Sequence, residues 1–233
     1  MTSERPERQR LEATAGQRVA AMETPLAGKS KGGRPSKEAL EALNHRILDT
    51  AAELFASQGF AATTMEQVAS ACGAGKDTIY RRYPSKAALF KTLMEGLQAS
   101  IVSELDAEMA RKASAANRLK RFARTLLSVN LRPQMIALNR VALGEAVALG
   151  GAPAKPSAED PIMIRFVALV GAAQSEGTLD KGDALFLAEQ LLYATSIRPL
   201  ISAMLGEHRF RDPAEEERYF NQAWSLFLDG AGR

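Results

Sequence analysis

The 233-residue chain is poor in the residues that build disulfide frameworks and metal sites. Its single cysteine, Cys72, excludes an intrachain disulfide, and with only two histidines, His45 and His208, it also excludes a cysteine-rich zinc finger. No apolar run approaches the ~18 residues that a membrane-spanning helix needs. Residues 1–36 lack the apolar segment of a secretory signal. We therefore expect a cytoplasmic protein without a metal or another cofactor.

Complete catalytic motifs are missing as well. The sequence contains neither a G-x-S-x-G nor an H-E-x-x-H motif. Two segments end like a phosphate-binding loop, with Lys76 and Lys29 in the lysine position, but Ser70 and Glu23 stand where the first glycine is required. The residues therefore do not predict an enzyme.

Positive charge is concentrated near the beginning of the chain. Residues 1–98 carry 14 basic and 11 acidic side chains, whereas residues 99–233 carry 16 of each, so the first segment holds the whole net charge of +3. This asymmetry indicates a polyanionic partner for one end of the molecule. The basic side chains form two clusters: Lys29, Lys31, Arg34 and Lys37, then Lys76, Arg81, Arg82 and Lys86.

The chain divides into a polar arm and a helical remainder. Residues 1–36 predict a disordered arm, and its basic part at residues 29–37 has the composition of a segment that lies along phosphates or enters a minor groove. From Ser36 onward, apolar residues recur with helical spacing and no β alternation occurs. We therefore predict an all-α fold of about nine helices.

Signals for helix ends are dense between residues 59 and 85. Gly59 is expected to end the first helix, because a positive φ is least costly for glycine. Either Thr63 or Thr64 begins the second helix as its N-cap, with Glu66 or Gln67 completing a capping box.

The second helix ends at Gly73, a third covers about residues 75–82, and Ser85 caps a long fourth helix. Two short helices joined by a glycine-containing turn predict a helix-turn-helix over residues 37–90. Cations and hydroxyl groups on such a surface suit phosphates and base edges, although an ordinary solvated surface remains the alternative. The outward side chains are Lys76, Thr78, Tyr80, Arg81, Arg82 and Lys86.

The remaining helices are delimited by proline and aspartate. Pro133 ends one apolar stripe, and Asp160 is expected to cap a helix that begins at Pro161. A further helix starts near Asp183 and should be kinked by Pro199, and the last begins at residues 212–213. These helices form a predicted second domain, residues 91–233.

The segment LFASQGFAATTMEQVASACGAGKDTIYRRYPSKAALF, residues 54–90, closely resembles the DNA-binding domain of the TetR/AcrR family of bacterial regulators. A Gly-Arg-Pro sequence at residues 33–35 precedes it, as in many members. The resemblance implies that Thr64, Tyr80, Arg82 and Lys86 hold phosphates. It also implies that Gly75, Lys76 and Thr78 approach bases and that Arg34 reaches the minor groove.

The resemblance further implies a homodimer whose last two helices form a four-helix bundle, and a pocket for a small hydrophobic ligand. Residues 131–149 faintly resemble the AefR-like subgroup. The candidate interface residues, which otherwise belong to the core of one chain, are Leu191, Phe220, Trp224 and Phe227. The candidate ligand residues, which also fit an ordinary core, are Phe122, Leu126, Met135, Phe166 and Tyr193.

The predicted function is therefore a repressor that binds a palindromic operator as a dimer and is released by its ligand. The alternative is a DNA-binding activator or architectural protein without a ligand switch. A second set of basic residues either adds to the electric field near DNA or is a solvated helix face. This set consists of Arg111, Lys112, Arg118, Lys120, Arg121 and Arg124.

Overall fold

The structure is a computed structural model that describes residues 36–148 and 159–231, with no account of the side chains of residues 146–148. It contains ten α-helical segments: α1 (Lys37–Ala62), α2 (Met65–Ala71), α3 (Lys76–Arg82), α4 (Lys86–Met109), α5 (Ala115–Asn130), α6 (Pro133–Ala148), α7 (Pro161–Ser175), α8 (Ala184–Leu192), α9 (Arg198–Met204) and α10 (Pro213–Ala231).

A π-helical turn, Tyr193–Ile197, joins α8 to α9, so the described residues form nine separate α-helices and no β-strand. A single 3-10 turn, Arg209–Arg211, precedes α10. The all-α prediction is thus confirmed for the described part of the chain. Every helix there is too short or too polar to cross a bilayer.

Helix ends fall where glycine and aspartate predict them. Gly59 interrupts α1 with a φ of 82°, and Gly73 follows α2 with a φ of 68°. Asp160 caps α7 by accepting hydrogen bonds from the first free N–H groups, and Pro161 is its first residue. Asp183 caps α8 in the same way.

Pro199 is accommodated by the π-helical turn that precedes it. Proline lacks an N–H, and its ring crowds the carbonyl group four residues earlier, which belongs to Thr195. In the structure the Arg198 N–H donates to the Tyr193 carbonyl oxygen, five residues back. The wider turn therefore carries the helix past Pro199 without a chain break.

The buried side chains form two hydrophobic cores. The first core joins α1, α2, α3 and the beginning of α4, and it includes the fully buried Phe55 and Ile79. The second core joins the end of α4 to α5, α7, α8 and α10. Leu138 of α6 is fully buried in the first core, although α6 follows α5 in the chain.

Helix α4 belongs to both cores, through Leu89 and Leu93 near its beginning and through Ile101 and Leu105 further on. The described residues from Lys37 onward form one compact unit. The predicted domain boundary after residue 90 lies inside α4, and the division into two domains stays a prediction.

Candidate nucleic-acid interface

A capping box fixes the beginning of α2. The Thr64 hydroxyl accepts a hydrogen bond from the Gln67 N–H at 3.1 Å, and the Gln67 side chain accepts one from the Thr64 N–H at 2.8 Å. Thr63 is buried instead, and its hydroxyl donates to the Gly59 carbonyl oxygen at 2.7 Å. Of the two predicted pairs, Thr64 with Gln67 is the correct one, and Thr63 ties α2 to the break in α1.

The turn between α2 and α3 is closed by backbone hydrogen bonds. The Ala74 N–H donates to the Ala69 carbonyl oxygen at 2.9 Å, and the Gly75 carbonyl oxygen accepts from Thr78 at 2.9 Å. Gly75 has an ordinary φ of −67°, and a Cβ added there would lie 3.7 Å from its nearest neighbour. The protein fold therefore does not require glycine at this exposed position.

Helix α3 is held against α1 by apolar and polar contacts. Ile79 is fully buried, and the Tyr83 hydroxyl donates to Asn44 Oδ1 at 2.5 Å. Arg82 Nη1 donates to the same oxygen at 3.4 Å. Burial raises the pKa of the Tyr83 hydroxyl above its ordinary value. The orientation of α3 is thus set by one apolar anchor and one shared acceptor.

Glu66 of α2 binds two polar side chains on the outer face of α3. Lys76 Nζ lies 2.7 Å from Glu66 Oε1, and the Tyr80 hydroxyl donates to the same oxygen at 3.3 Å. The hydrogen bond from Lys76 lowers the pKa of the Glu66 carboxyl group, and that bond to Glu66 raises the pKa of Lys76. Sequence reasoning considered Glu66 only as a capping residue and missed this pairing across the turn.

Lys86 closes the end of α1. Its Nζ donates to the carbonyl oxygens of Phe60 at 2.6 Å, Ala61 at 3.3 Å and Thr63 at 2.8 Å, and it lies 4.4 Å from the centre of the Phe60 ring. These carbonyl groups belong to the last turn of α1 and the residue after it. A lysine in the first turn of α4, which opposes the helix dipole, is therefore stabilised by the negative end of another helix.

The predicted DNA contacts are brought together on one surface, apart from Arg34, which lies outside the described residues together with the preceding residues of the arm. Thr64, Gly75, Lys76 and Tyr80 are exposed. Thr78, Arg82 and Lys86 are partly buried, because they also contact the protein itself.

The predicted ligand residues are brought together only in part. Phe122 and Phe166 pack edge to face with ring centres 4.7 Å apart, and Leu126 and Met135 are buried in the same core. Tyr193 is instead 42% exposed, in a surface groove that also contains Ile197 and Ile201.

The predicted interface residues lie mostly inside a single chain. Leu191 and Phe220 are fully buried and Trp224 nearly so, whereas Phe227 is partly buried. Different large apolar side chains are exposed on α8, the π-helical turn, α9 and α10: Phe186, Tyr193, Ile201 and Leu226. Sequence reasoning missed most of them as interface candidates. The signal available in the sequence was the spacing of seven and eight residues between the first three.

The second basic set lies at the end of α4 that is remote from α3. Helix α4 has 24 residues, which corresponds to about 36 Å. Arg121 donates to the Arg111 carbonyl oxygen at 3.0 Å, and Arg124 is paired with Glu217. Arg118 and Arg121 are partly buried, so the set is only in part a solvated helix face. Since salt screens exposed charges over ~8 Å, it adds little to the electric field at α3.

Residues 36–93 contain a helix-turn-helix. The exposed face of α3 carries cations and hydroxyl groups that can bind a polyanion. Two family models match the chain: bacterial regulatory proteins of the tetR family over residues 47–93, and the C-terminal domain of AefR-like transcriptional repressors over residues 117–230. The chain therefore belongs to the TetR family of bacterial regulatory proteins.

The curated relatives match only part of their length. The transcriptional regulator YerO of Bacillus subtilis is 37% identical over 70 residues, 29% of this chain and 24% of YerO. AcrR of Shigella flexneri is 33% identical over 79 residues, 34% of this chain and 36% of AcrR. The chain thus spans about a quarter to a third of these relatives, and the identity is confined to a short segment.

Solved structures match nearly their whole length. A TetR-family regulator from Mesorhizobium loti has a TM-score of 0.68 at 21% identity, over 83% of this chain and 98% of that one. The flavonoid-responsive regulator FrrA has a TM-score of 0.56 at 25% identity, over 82% and 98%. A regulator from Saccharomonospora viridis, in complex with choline, has a TM-score of 0.63 at 20% identity, over 81% and 96%.

Proposed function

We propose that this protein is a cytoplasmic repressor that binds a palindromic operator as a homodimer and leaves it when a small ligand binds. The observation that carries the proposal is the exposed face of α3, where Lys76 and Tyr80 stand beside partly exposed Thr78 while Ile79 anchors the helix. The match to the C-terminal domain of AefR-like repressors supports negative regulation.

The proposed DNA contacts divide into two groups. Thr64, Tyr80 and Arg82 bind phosphates, and Lys86 adds its charge, because its N–H groups are already bound to carbonyl oxygens. Lys76 and Thr78 read base edges in the major groove. Gly75 supports this arrangement, since the fold leaves room for a side chain and its absence allows close approach of DNA. Arg34 enters the minor groove.

The dimer is proposed to form through the exposed apolar side chains of α8, α9 and α10. A two-fold interface needs a self-complementary patch, and Phe186, Ile201 and Leu226 expose 55%, 46% and 75% of their surface. Such a dimer would place two α3 helices ~34–36 Å apart, one turn of DNA. The double variant Phe186→Asp/Leu226→Asp should be monomeric by light scattering. Ile164→Asp, at a site 52% exposed on α7, is the control.

Ligand release is supported by two structural neighbours, one named as flavonoid-responsive and one solved with choline. These two ligands differ in charge and size, so the identity of the ligand here has to come from this chain's own residues. A thermal-shift screen repeated with operator DNA tests the switch. If no compound both stabilises the protein and releases DNA, the alternative of an activator or architectural protein replaces this proposal.

Selection of bound DNA from a random pool tests the operator and the reading residue together. The wild type should select a two-fold symmetric site, and Lys76→Ala should change the preferred base within each half-site. Lys112→Ala, which removes the same charge at the remote end of α4, should leave the selected sequence unchanged. An unaltered selection with Lys76→Ala would remove Lys76 from base reading.

A further inference from the structure

A cavity of about 420 Å³, widely open to solvent, lies between the first half of α4, the end of α5 and α6. This volume is within the range of small-molecule sites. Its apolar wall includes Phe90, Leu97 and Met135, and its polar wall consists of the amides Gln98, Asn130 and Asn139. Of the residues predicted to bind a ligand, Met135 is the one that lines it.

Each of the three amides uses one of its two N–H groups within the protein. Gln98 Nε2 donates to Asp160 Oδ2 at 3.1 Å, and Asn139 Nδ2 donates to the Met135 carbonyl oxygen at 2.8 Å. A carboxylate and a carbonyl oxygen only accept hydrogen bonds, so these two partners fix which end of each amide is oxygen. Asn130 Nδ2 donates to the buried Ser196 hydroxyl at 2.8 Å.

Among the described residues, each amide therefore keeps an oxygen that accepts no hydrogen bond and one further N–H group. Among residues 36–148 and 159–231, no side chain or backbone N–H donates to the side-chain oxygen of Gln98, Asn130 or Asn139. The charged residues at the cavity, Lys91 and Glu95, are 77% and 61% exposed and lie 3.8 Å from each other. The cavity therefore offers neutral amide groups that can accept and donate hydrogen bonds, together with apolar surface, and its two charged side chains are exposed and paired.

We infer that this cavity binds an uncharged molecule with an apolar body and hydroxyl groups, such as a phenol, and that this molecule is the regulatory ligand. The inference rests on the proposed ligand-controlled repressor function. A hydroxyl group can donate to an amide oxygen and accept from the second amide N–H, whereas a carboxylate can only accept, and the one cation among the lining residues, Lys91, is paired with Glu95. An ether of the same size fills the apolar part of the cavity but has no O–H group to donate to an amide oxygen.

The cavity borders the first core, so a ligand bound there would contact the residues that pack against the helix-turn-helix. The Phe90 ring packs against Phe55 at 5.3 Å and Phe60 at 5.5 Å, so one wall of the cavity belongs to the first core. Met135 belongs to the second core, and Leu97 packs against both. A ligand between α4 and α6 therefore contacts the helix that carries Lys86, which holds the end of α1 and the entry to α2.

Three probes with one carbon skeleton test the ligand class by calorimetry with the full-length protein. At pH 7, 4-phenylphenol is neutral and donates a hydrogen bond, 4-methoxybiphenyl only accepts, and biphenyl-4-carboxylate is an anion. We expect 4-phenylphenol to bind at least about ten-fold more tightly than either of the others, the difference that one hydrogen bond makes. Equal binding of all three, or preference for the carboxylate, would overturn the inference.

Asn139→Leu locates the site, because leucine keeps the volume and removes one acceptor. It should weaken 4-phenylphenol binding about ten-fold and leave 4-methoxybiphenyl unchanged. Asn117→Leu, an exposed asparagine at the other end of α5, is the matched control. Unchanged phenol binding by a folded Asn139→Leu protein would exclude this cavity.

Measuring whether a compound releases the selected operator DNA distinguishes the ligand-switch proposal from the proposal of this binding site. If 4-phenylphenol binds in an Asn139-dependent way and DNA stays bound, the site stands and the ligand switch fails. If a compound releases DNA equally from the wild type and from Asn139→Leu, the switch stands and this site is wrong.

Discussion

The first hydrophobic core contains two very short helices beside the long α1 and α4, whereas the second core contains no helix of fewer than nine residues. Helices α2 and α3 have seven residues each, too few to be stable alone. Side-chain-to-backbone bonds of Thr64 fix the beginning of α2, and those of Lys86 fix the end of α1 that precedes it. Helices α5 and α7 have 16 and 15 residues and are joined by apolar packing such as the Phe122–Phe166 pair. Polar contacts therefore add to apolar packing in fixing the helix ends of the helix-turn-helix, whereas apolar packing joins α5 to α7.

The largest expected effect comes from removing one phenylalanine of either core. Phe55→Ala and Phe122→Ala should each lower the free energy of unfolding by about 3–5 kcal/mol, since both side chains are fully buried. Because α4 and Leu138 connect the cores, each variant should unfold in one transition. Fluorescence of Trp224, the single tryptophan, reports the second core during denaturation. A Trp224 transition unmoved by Phe55→Ala would show that the cores unfold independently.

The second prediction concerns the polar bonds of the first core. Lys86→Ala should lower the free energy of unfolding by about 1–2 kcal/mol, because three carbonyl groups at the end of α1 lose a charged donor. Lys91→Ala, on the same helix and largely exposed, should change it little. Lys86→Ala could instead leave stability unchanged and lower the salt slope of DNA binding by about one per half-site. That result would show that Lys86 contacts a phosphate and does not cap α1.

Glu66→Gln should tighten DNA binding about two- to five-fold at low salt. In the free protein Glu66 holds Lys76 and the Tyr80 hydroxyl, and DNA has to displace it. Ion pairs between exposed side chains are weak, so the expected effect is small. Glu53→Gln removes an equal charge on α1 without touching Lys76. Equal tightening by both variants would attribute the gain to net charge alone.

The smallest expected effect is at the ion pair that joins α4 to α7. Arg165 Nε and Nη2 donate to the Asp106 carboxylate at 2.5 and 2.6 Å, and Arg165 lowers the pKa of Asp106. A lowered carboxyl pKa stabilises the fold above the unfolded pKa, and this contribution is lost as the pH falls through the folded value. Arg165→Met should lower stability by less than ~1 kcal/mol at pH 7. In acid the difference from the wild type should shrink to the contribution of the Arg165 bond to the Pro161 carbonyl oxygen, as equilibrium unfolding at both pH values will measure.

The sequence predicted the features that depend on neighbours in the chain. Gly59, Gly73, Asp160 and Pro161 mark helix ends because their preferences for backbone angle or capping are local. The same reasoning narrowed the start of α2 to two threonines, and only packing distinguishes Thr63, which is buried, from Thr64.

Features that depend on distant contacts escaped sequence reasoning. The partners of Lys86 lie 23 to 26 residues earlier, and α2 meets α3 through Glu66 only once the turn is folded. An apolar stripe does not state which neighbour covers it, so Leu191 and Phe220 were assigned to an interface although they are buried in one chain. Leu138, far along the sequence, completes the first core for the same reason.

The π-helical turn has a geometric consequence for the rod that α8 and α9 form. One additional residue within a helix rotates everything after it by about 100°. The two halves of the rod are therefore out of phase, so that α8 packs against α7 while α9 turns toward α6. Shortening the rod by one residue at this turn would restore a uniform helical phase and remove one of these two packing arrangements.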